Sequence, residues 1–275
     1  MKPQIEMKPQ TPNPKTQRNP KFQAPIGRLV WERPRFGVWV LGLLWVLGFG
    51  FWGFCTTAAE TNTTSKAFVP STKYGTTRVA GWTVRVNREL LTTQKELGSN
   101  ALALLAVKLQ EITNAVPARA CDALKRIPIW LGVNDGHAPC AEYHPSKDWL
   151  GKNGYNPDKA KCVEIGNARR FIEWSRSQPS MILHELAHGY HDQVLSYRHQ
   201  GIRQAYDRAK ITGLYESVRR NNGKTEKAYA LNNDQEYFAE ATEAFFGTND
   251  FYPFTRDELK EHDPELFQVL EEVWR

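Results

Sequence analysis

Cysteine is scarce in this chain: four residues among 275, Cys55, Cys121, Cys140 and Cys162, with no two in a C-x2-C or comparably tight pair. That spacing builds no cysteine-rich zinc module, and Cys140, His144 and Cys162 read as buried or disulfide-bonded side chains rather than as a second metal centre. Outside the cytoplasm one pair among Cys121, Cys140 and Cys162 can form a disulfide and leave one thiol over, but the sequence does not say which. No internal repeat is present. Beyond residue 35 a charge bias is missing as well, with 28 basic against 28 acidic side chains. Without a basic stripe interleaved with aromatics, a nucleic-acid partner is not expected.

The formal charge of +6 sits in one place. Residues 1–35 hold eight basic side chains (Lys2, Lys8, Lys15, Arg18, Lys21, Arg28, Arg33, Arg35) against Glu6 and Glu32, together with seven of the sixteen prolines. A segment this polar cannot bury enough surface to offset its chain entropy, so 1–35 is expected to be a disordered basic tail.

Residues 36–55, "FGVWVLGLLWVLGFGFWGFC", carry no charge. As a helix they would extend about 30 Å, the thickness of a bilayer core. Five glycines weaken helix propensity in water, yet glycine is common in membrane helices. A soluble core helix is disfavoured because the run has no polar face. A single transmembrane anchor or a signal helix is expected instead, with a cut after Ala59 as the secreted alternative. Either way the basic tail stays in the cytoplasm and the rest is exported. Residues 56–76, rich in Thr, Ser and Ala, read as a linker to a domain at 77–275.

Within that domain, 77–87 alternates like a strand, 88–116 carries apolar residues at helical spacing, and a short helix near 118–125 leads to a buried strand at 127–133. The stretch 134–159 is dense in Gly, Pro and Asn and reads as a long loop. A short strand at 161–167 and a bridge at 168–178 precede a helix at 179–197. Further helices fit 200–219, 233–247 and 263–275, the last with Asp263 as cap and Pro264 at its first position. Helices dominate a few strands, so the class is α+β.

The segment "MILHELAHGYHDQ" (181–193) carries the chemistry. Side chains four apart on a helix share a face, so His184 and His188 can bind one ion. Glu185 is angled toward the same ion without needing to bind it, where it can take a proton from a metal-bound water. Zinc suits such ligands and brings the pKa of bound water to about 7. A third ligand is needed. Six residues after His188 stands Val194, and His191 and Asp192 are too near to ligate without strain. The helix at 233–247 offers Glu236, Glu240 and Glu243; Glu236 and Glu240 lie one turn apart, so one can bind the metal while the other orients a ligand histidine through its second ring nitrogen.

"HELAH" followed by "YALNNDQEYFAEATEAFF" resembles the gluzincin metallopeptidases, most nearly the catalytic domain of the anthrax lethal factor and Pro-Pro endopeptidase type. In that group a tyrosine lies seven residues before a ligand glutamate, which is followed by an aromatic pair and a second glutamate. Tyr229, Glu236, Tyr237, Phe238 and Glu240 stand at those spacings. The resemblance covers 181–247 and implies a zincin-like fold, helix-rich with a small sheet. It implies zinc bound by His184, His188 and Glu236, Glu185 as general base, Glu240 as partner of a ligand histidine, and Tyr229 as oxyanion donor.

The expected function is therefore zinc-dependent peptide hydrolysis outside the cytoplasm, on a peptide or protein substrate, with membrane attachment through 36–55. The strand at 161–167 would offer an exposed edge to an extended peptide. A zinc-binding surface module without catalysis, a metal-free structural surface protein, and a hydrolase of peptidoglycan cross-links are the alternatives. Oligomeric state stays open.

Overall fold

The computed structural model describes residues 68–135 and 140–275. The expected tail, apolar segment and most of the linker lie outside the described residues. Among the described residues no helix is long and apolar enough to cross a membrane.

The alternating run at the start of the domain is two strands rather than one. Strand β1 (Tyr74–Val79) turns at Ala80 and Gly81, both at positive φ, into β2 (Trp82–Asn87). Asn87 then caps α1 (Arg88–Leu91), and the long apolar period that follows is interrupted at residues 92–94 before α2 (Lys95–Ala115). Helix α3 (Ala118–Leu124) leads into β3 (Ile129–Leu131).

The expected loop at 134–159 contains real structure: strand β4 (Ala141–Tyr143), helix α4 (Lys147–Lys152) capped by Ser146, and a 3-10 turn at Pro157–Lys159. Strand β5 (Val163–Ile165) and helix α5 (Ala168–Trp174) follow. Five strands then form one sheet in the order β1-β2-β3-β5-β4, parallel between β2, β3 and β5 and antiparallel at both ends. The edge expected at 161–167 is therefore wrong: β5 is paired on both sides, and β4 is the edge. The Gly/Pro-rich surroundings of "CAEY" hid the strand that covers it.

Because strand side chains alternate between faces, Val84, Val86, Ile129, Leu131, Val163 and Ile165 turn to one side and join the helices in the main core. Against them lie α6 (Met181–Tyr190) and, beyond it, α7 (Gln200–Thr212), α8 (Asp234–Phe246), α9 (Arg256–His262) and α10 (Pro264–Val273). Between α7 and α8 a small hairpin, β6 (Val218–Arg219) and β7 (Thr225–Glu226), forms a separate sheet. The fold is helix-rich with a small sheet, α+β. Asp263 caps α10 as expected and does more: its carboxylate, fully buried, also takes Arg208 from α7 and the hydroxyls of Tyr215 and Tyr237. It thereby ties α7 and α10 to α8.

No disulfide forms among the described cysteines. Cys121, Cys140 and Cys162 are all free and buried, so the buried-thiol alternative holds. Cys140 Sγ lies 3.2 Å from Met181 Sδ, and Cys162 packs with Tyr74 and Trp130 on the opposite face of the sheet.

That opposite face is polar. Glu142 and Glu164 are cross-strand partners on β4 and β5, both buried. Glu164 Oε2 lies 2.7 Å from His144 Nε2, and its other oxygen binds Lys159. Glu142 Oε1 has no hydrogen-bond partner among the described residues. Burial, reinforced by the charges of Glu164 and Glu185, holds the Glu142 carboxyl well above the usual carboxylate range. A carboxyl whose pKa rises on folding favours the folded state only below its ordinary pKa, and costs stability increasingly as pH rises above it. Glu142→Gln should therefore stabilise the domain by about 1–3 kcal/mol at pH 7 and change little near pH 4. Urea unfolding at the two pH values checks this; a lower midpoint for the variant at pH 7 would contradict it.

Candidate metal centre

Helices α6 and α8 pack directly against each other, and each is buried on nearly every side. Apolar residues fill most of that contact, which leaves the few polar side chains little access to water. They turn to one another. His184 and His188, one turn apart on α6, meet Glu236 in the first turn of α8. Asn233 caps α8 and accepts from the Glu236 backbone N–H at 2.8 Å, which starts the helix where the carboxylate is needed.

The donor atoms converge. His184 Nε2 lies 3.1 Å from His188 Nε2 and 3.1 Å from Glu236 Oε2, and His188 Nε2 lies 3.4 Å from the same oxygen. Zinc bound tetrahedrally at 2.0–2.1 Å holds its ligand atoms about 3.3 Å apart. All three sides of this triangle match that spacing. The donor chemistry fits too, since two imidazole lone pairs and a carboxylate aimed at one point repel unless a cation or protons lie between them. The positive imidazoles, where protonated, would hold Glu236 well below the usual carboxylate range despite its burial.

His184 is held from behind. Its Nδ1 lies 2.7 Å from Glu243 Oε1 and 3.8 Å from Glu240 Oε1. The short contact is to Glu243; Glu240, the partner that the resemblance implied, pairs with the same ring nitrogen at the longer distance as a second buried carboxylate. The signal was present in the sequence, because residues 236, 240 and 243 share one helical face. What was missing was the depth at which α8 crosses α6, and this selects Glu243.

Glu185 points toward the sheet edge. Its Oε2 accepts from the Tyr143 backbone N–H of β4 at 2.8 Å. On β4, Cys140 O and His144 N bond inward to the β5 segment, so Tyr143 in between faces outward toward α6. Gly189 allows this close approach: a Cβ there would stand 2.5 Å from Ile127 Cδ1 and 3.1 Å from the Tyr143 ring. Burial pushes the Glu185 carboxyl up, opposed by the neighbouring His184 and His188. Tyr229, half-buried at the start of a 3-10 turn before α8, brings its hydroxyl to 3.5 Å from Glu236 Oε1.

The remaining histidine of the motif serves a different purpose. α6 continues as a π-helical turn over His191–Leu195. The His191 ring is fully buried between Tyr197 and Phe238, and burial pushes its pKa down to about 3. Asp192 accepts from the Tyr143 hydroxyl at 2.6 Å and pairs with Lys161, so it braces the edge strand. Val194 is exposed.

A buried pair of α-helices thus presents a His, His, Glu donor set with a further carboxylate and a phenol alongside. The family model described as anthrax toxin lethal factor, N- and C-terminal domain, matches residues 143–273. The match begins on the edge strand, spans His184, Glu185, His188, Tyr229, Glu236, Glu240 and Glu243, and is a distant link to the lethal factor family. No curated protein and no solved structure matches the chain.

Replacing Glu243 with Gln removes the carboxylate behind His184 while keeping its shape. Zinc affinity, measured by chelator competition, should fall about 10–100-fold. An unchanged affinity would show that His184 needs no carboxylate behind it.

Proposed function

We propose that the domain is a zinc metallopeptidase of the gluzincin class, related to the lethal factor and Pro-Pro endopeptidase type, and that it hydrolyses peptide bonds. The reading is carried by the triangle of His184 Nε2, His188 Nε2 and Glu236 Oε2, with sides of 3.1, 3.1 and 3.4 Å. The distant match to the lethal factor family, which is zinc-dependent, supports it.

His184, His188 and Glu236 would hold the ion. When bound, zinc supplies Lewis acidity to a substrate carbonyl and makes water a stronger acid. Glu243 accepts the Nδ1–H of His184, which fixes the tautomer and leaves the Nε2 lone pair for the ion. Glu185, steadied by the Tyr143 N–H, takes the proton from the attacking water and passes it to the departing amine. The Tyr229 hydroxyl donates to the carbonyl oxygen as it gains charge. An extended substrate pairs with the β4 edge through the outward backbone of Ala141 and the Tyr143 carbonyl, the Tyr143 N–H being held by Glu185.

The same reading sets the domain outside the cytoplasm, tethered to the membrane through residues 36–55 or released by cleavage near Ala59. Its substrate is then a peptide or protein of that compartment.

Mass-spectrometric cleavage of a peptide library tests the reading. Glu185→Gln should keep zinc and lower turnover about 10²–10⁴-fold. Equal turnover in wild type and variant would remove Glu185 from the reaction, and a wild-type chain loaded with zinc that cuts nothing would leave a binding module. Tyr229→Phe should lower kcat about 10²-fold with KM nearly unchanged; a change confined to KM would make Tyr229 a substrate contact instead.

A further inference from the structure

On the sheet face turned away from the metal centre, one lysine is buried between two acids. Lys159, on the 3-10 turn after α4, is 2% exposed. Its Nζ lies 2.5 Å from Asp135 Oδ2, which follows β3, and also contacts Oε1 of Glu164 on β5. The Tyr74 hydroxyl of β1 donates to Asp135 Oδ2. Trp130 and Tyr74 flank the amine, their ring centroids 5.6 and 5.4 Å from Nζ. Water has little access to this group.

The two acids are not equivalent. Both oxygens of Glu164 are engaged, one by Lys159 and the other by His144 at 2.7 Å. Asp135 has one engaged oxygen; its Oδ1 has no hydrogen-bond partner among the described residues. The Asp135 side chain is pressed against the end of β3, where a Cβ on Gly132 would come within 2.6 Å of it. The contacts divide the roles: Asp135 keeps one oxygen without a partner, whereas Glu164 sets one oxygen against the amine.

We propose that Lys159 and Asp135 join in an intramolecular amide, with Glu164 as the base and Tyr74 as the oxyanion donor. Glu164 takes a proton from the Lys159 ammonium. The freed amine forms the Nζ–Cγ bond, and charge moves onto Oδ2, where the Tyr74 hydroxyl meets it. Glu164 returns its proton to the Oδ1 hydroxyl, the Cγ–Oδ1 bond breaks, and water leaves. The nitrogen then gives its surplus proton to Glu164. Ammonium, protonated carboxyl and carboxylate become amide, water and protonated carboxyl; no electrons are transferred and no co-reactant is required. Holding amine and carboxyl in contact inside the core supplies the high effective concentration that such a condensation needs. The bond would lock the segment after β3 to the turn before β5, under the edge strand that faces the metal centre.

The full-length chain, denatured and digested, decides this by peptide mass. The expected result is the Asp135 peptide joined to the Lys159 peptide and lighter than their sum by one water. Lys159→Met and Asp135→Ala should each abolish the joined species, and Glu164→Gln should do so while leaving both reacting groups in place. Recovery of the two wild-type peptides separately at their sequence masses overturns the proposal, as does a bond from Lys159 to Glu164. A joined species that persists in Glu164→Gln overturns the assignment of the base.

Discussion

The contact between α6 and α8 constrains everything around it, because it gathers two histidines and four carboxylates in a largely buried cluster that stays open to water only at His188 and Glu236. His184, Glu185 and His188 come from one helix, and Glu236, Glu240 and Glu243 from the other, all of them buried. A buried charge without a partner costs several kcal/mol, and two imidazoles aimed at one carboxylate oxygen are stable only with a positive centre among them. Three donor atoms 3.1 to 3.4 Å apart are spaced for one ion. The rest of the core keeps that pair of helices in place. Asp263 draws Tyr237 of α8 toward α7 and α10, and Tyr190 of α6 stacks on Trp274 at the end of the chain.

The sheet contributes alignment more than bulk. β4 has only three residues, yet its Tyr143 meets the motif helix twice: the backbone N–H holds Glu185 at its middle, and the hydroxyl bonds Asp192 in the π-helical turn beyond its end. The polar network of His144, Glu164, Lys159 and Asp135 lies directly beneath this strand. Edge strands are ordinarily the least constrained part of a sheet. Here charges on one side and the motif helix on the other fix the edge, and the edge in turn holds Glu185.

Much of this was legible in the sequence, and the failures have physical causes. The helices carrying "HELAH" and "QEYFAE" announce themselves through caps and apolar spacing, and three of the acids on α8 share a face by arithmetic alone. Alternation continues across Ala80 and Gly81 with only a two-residue turn between, so the pattern of the first hairpin reads as a single strand. The break between α1 and α2 leaves the apolar period intact. β4 was invisible since a three-residue strand among glycines and prolines has no period to detect, and with it went the strand order and the identity of the edge. The sequence offers Glu243 as a carboxylate on the shared face without marking it as the partner of His184; that choice depends on how deeply two helices interlock, which no single-sequence pattern encodes. The cysteines never meet for the same reason: their positions are set by the fold, not by their spacing.

The proposed function requires that His184, His188 and Glu236 form one metal site. Elemental analysis of the full chain, purified without chelator and dialysed against dilute zinc before removal of excess, tests it most directly. One tightly held zinc per folded chain, lost when Glu236 is replaced by Ala, is the predicted result. A folded wild-type chain that retains no zinc would contradict it, and "HELAH" would then be a buried helix carrying two histidines and no catalytic centre.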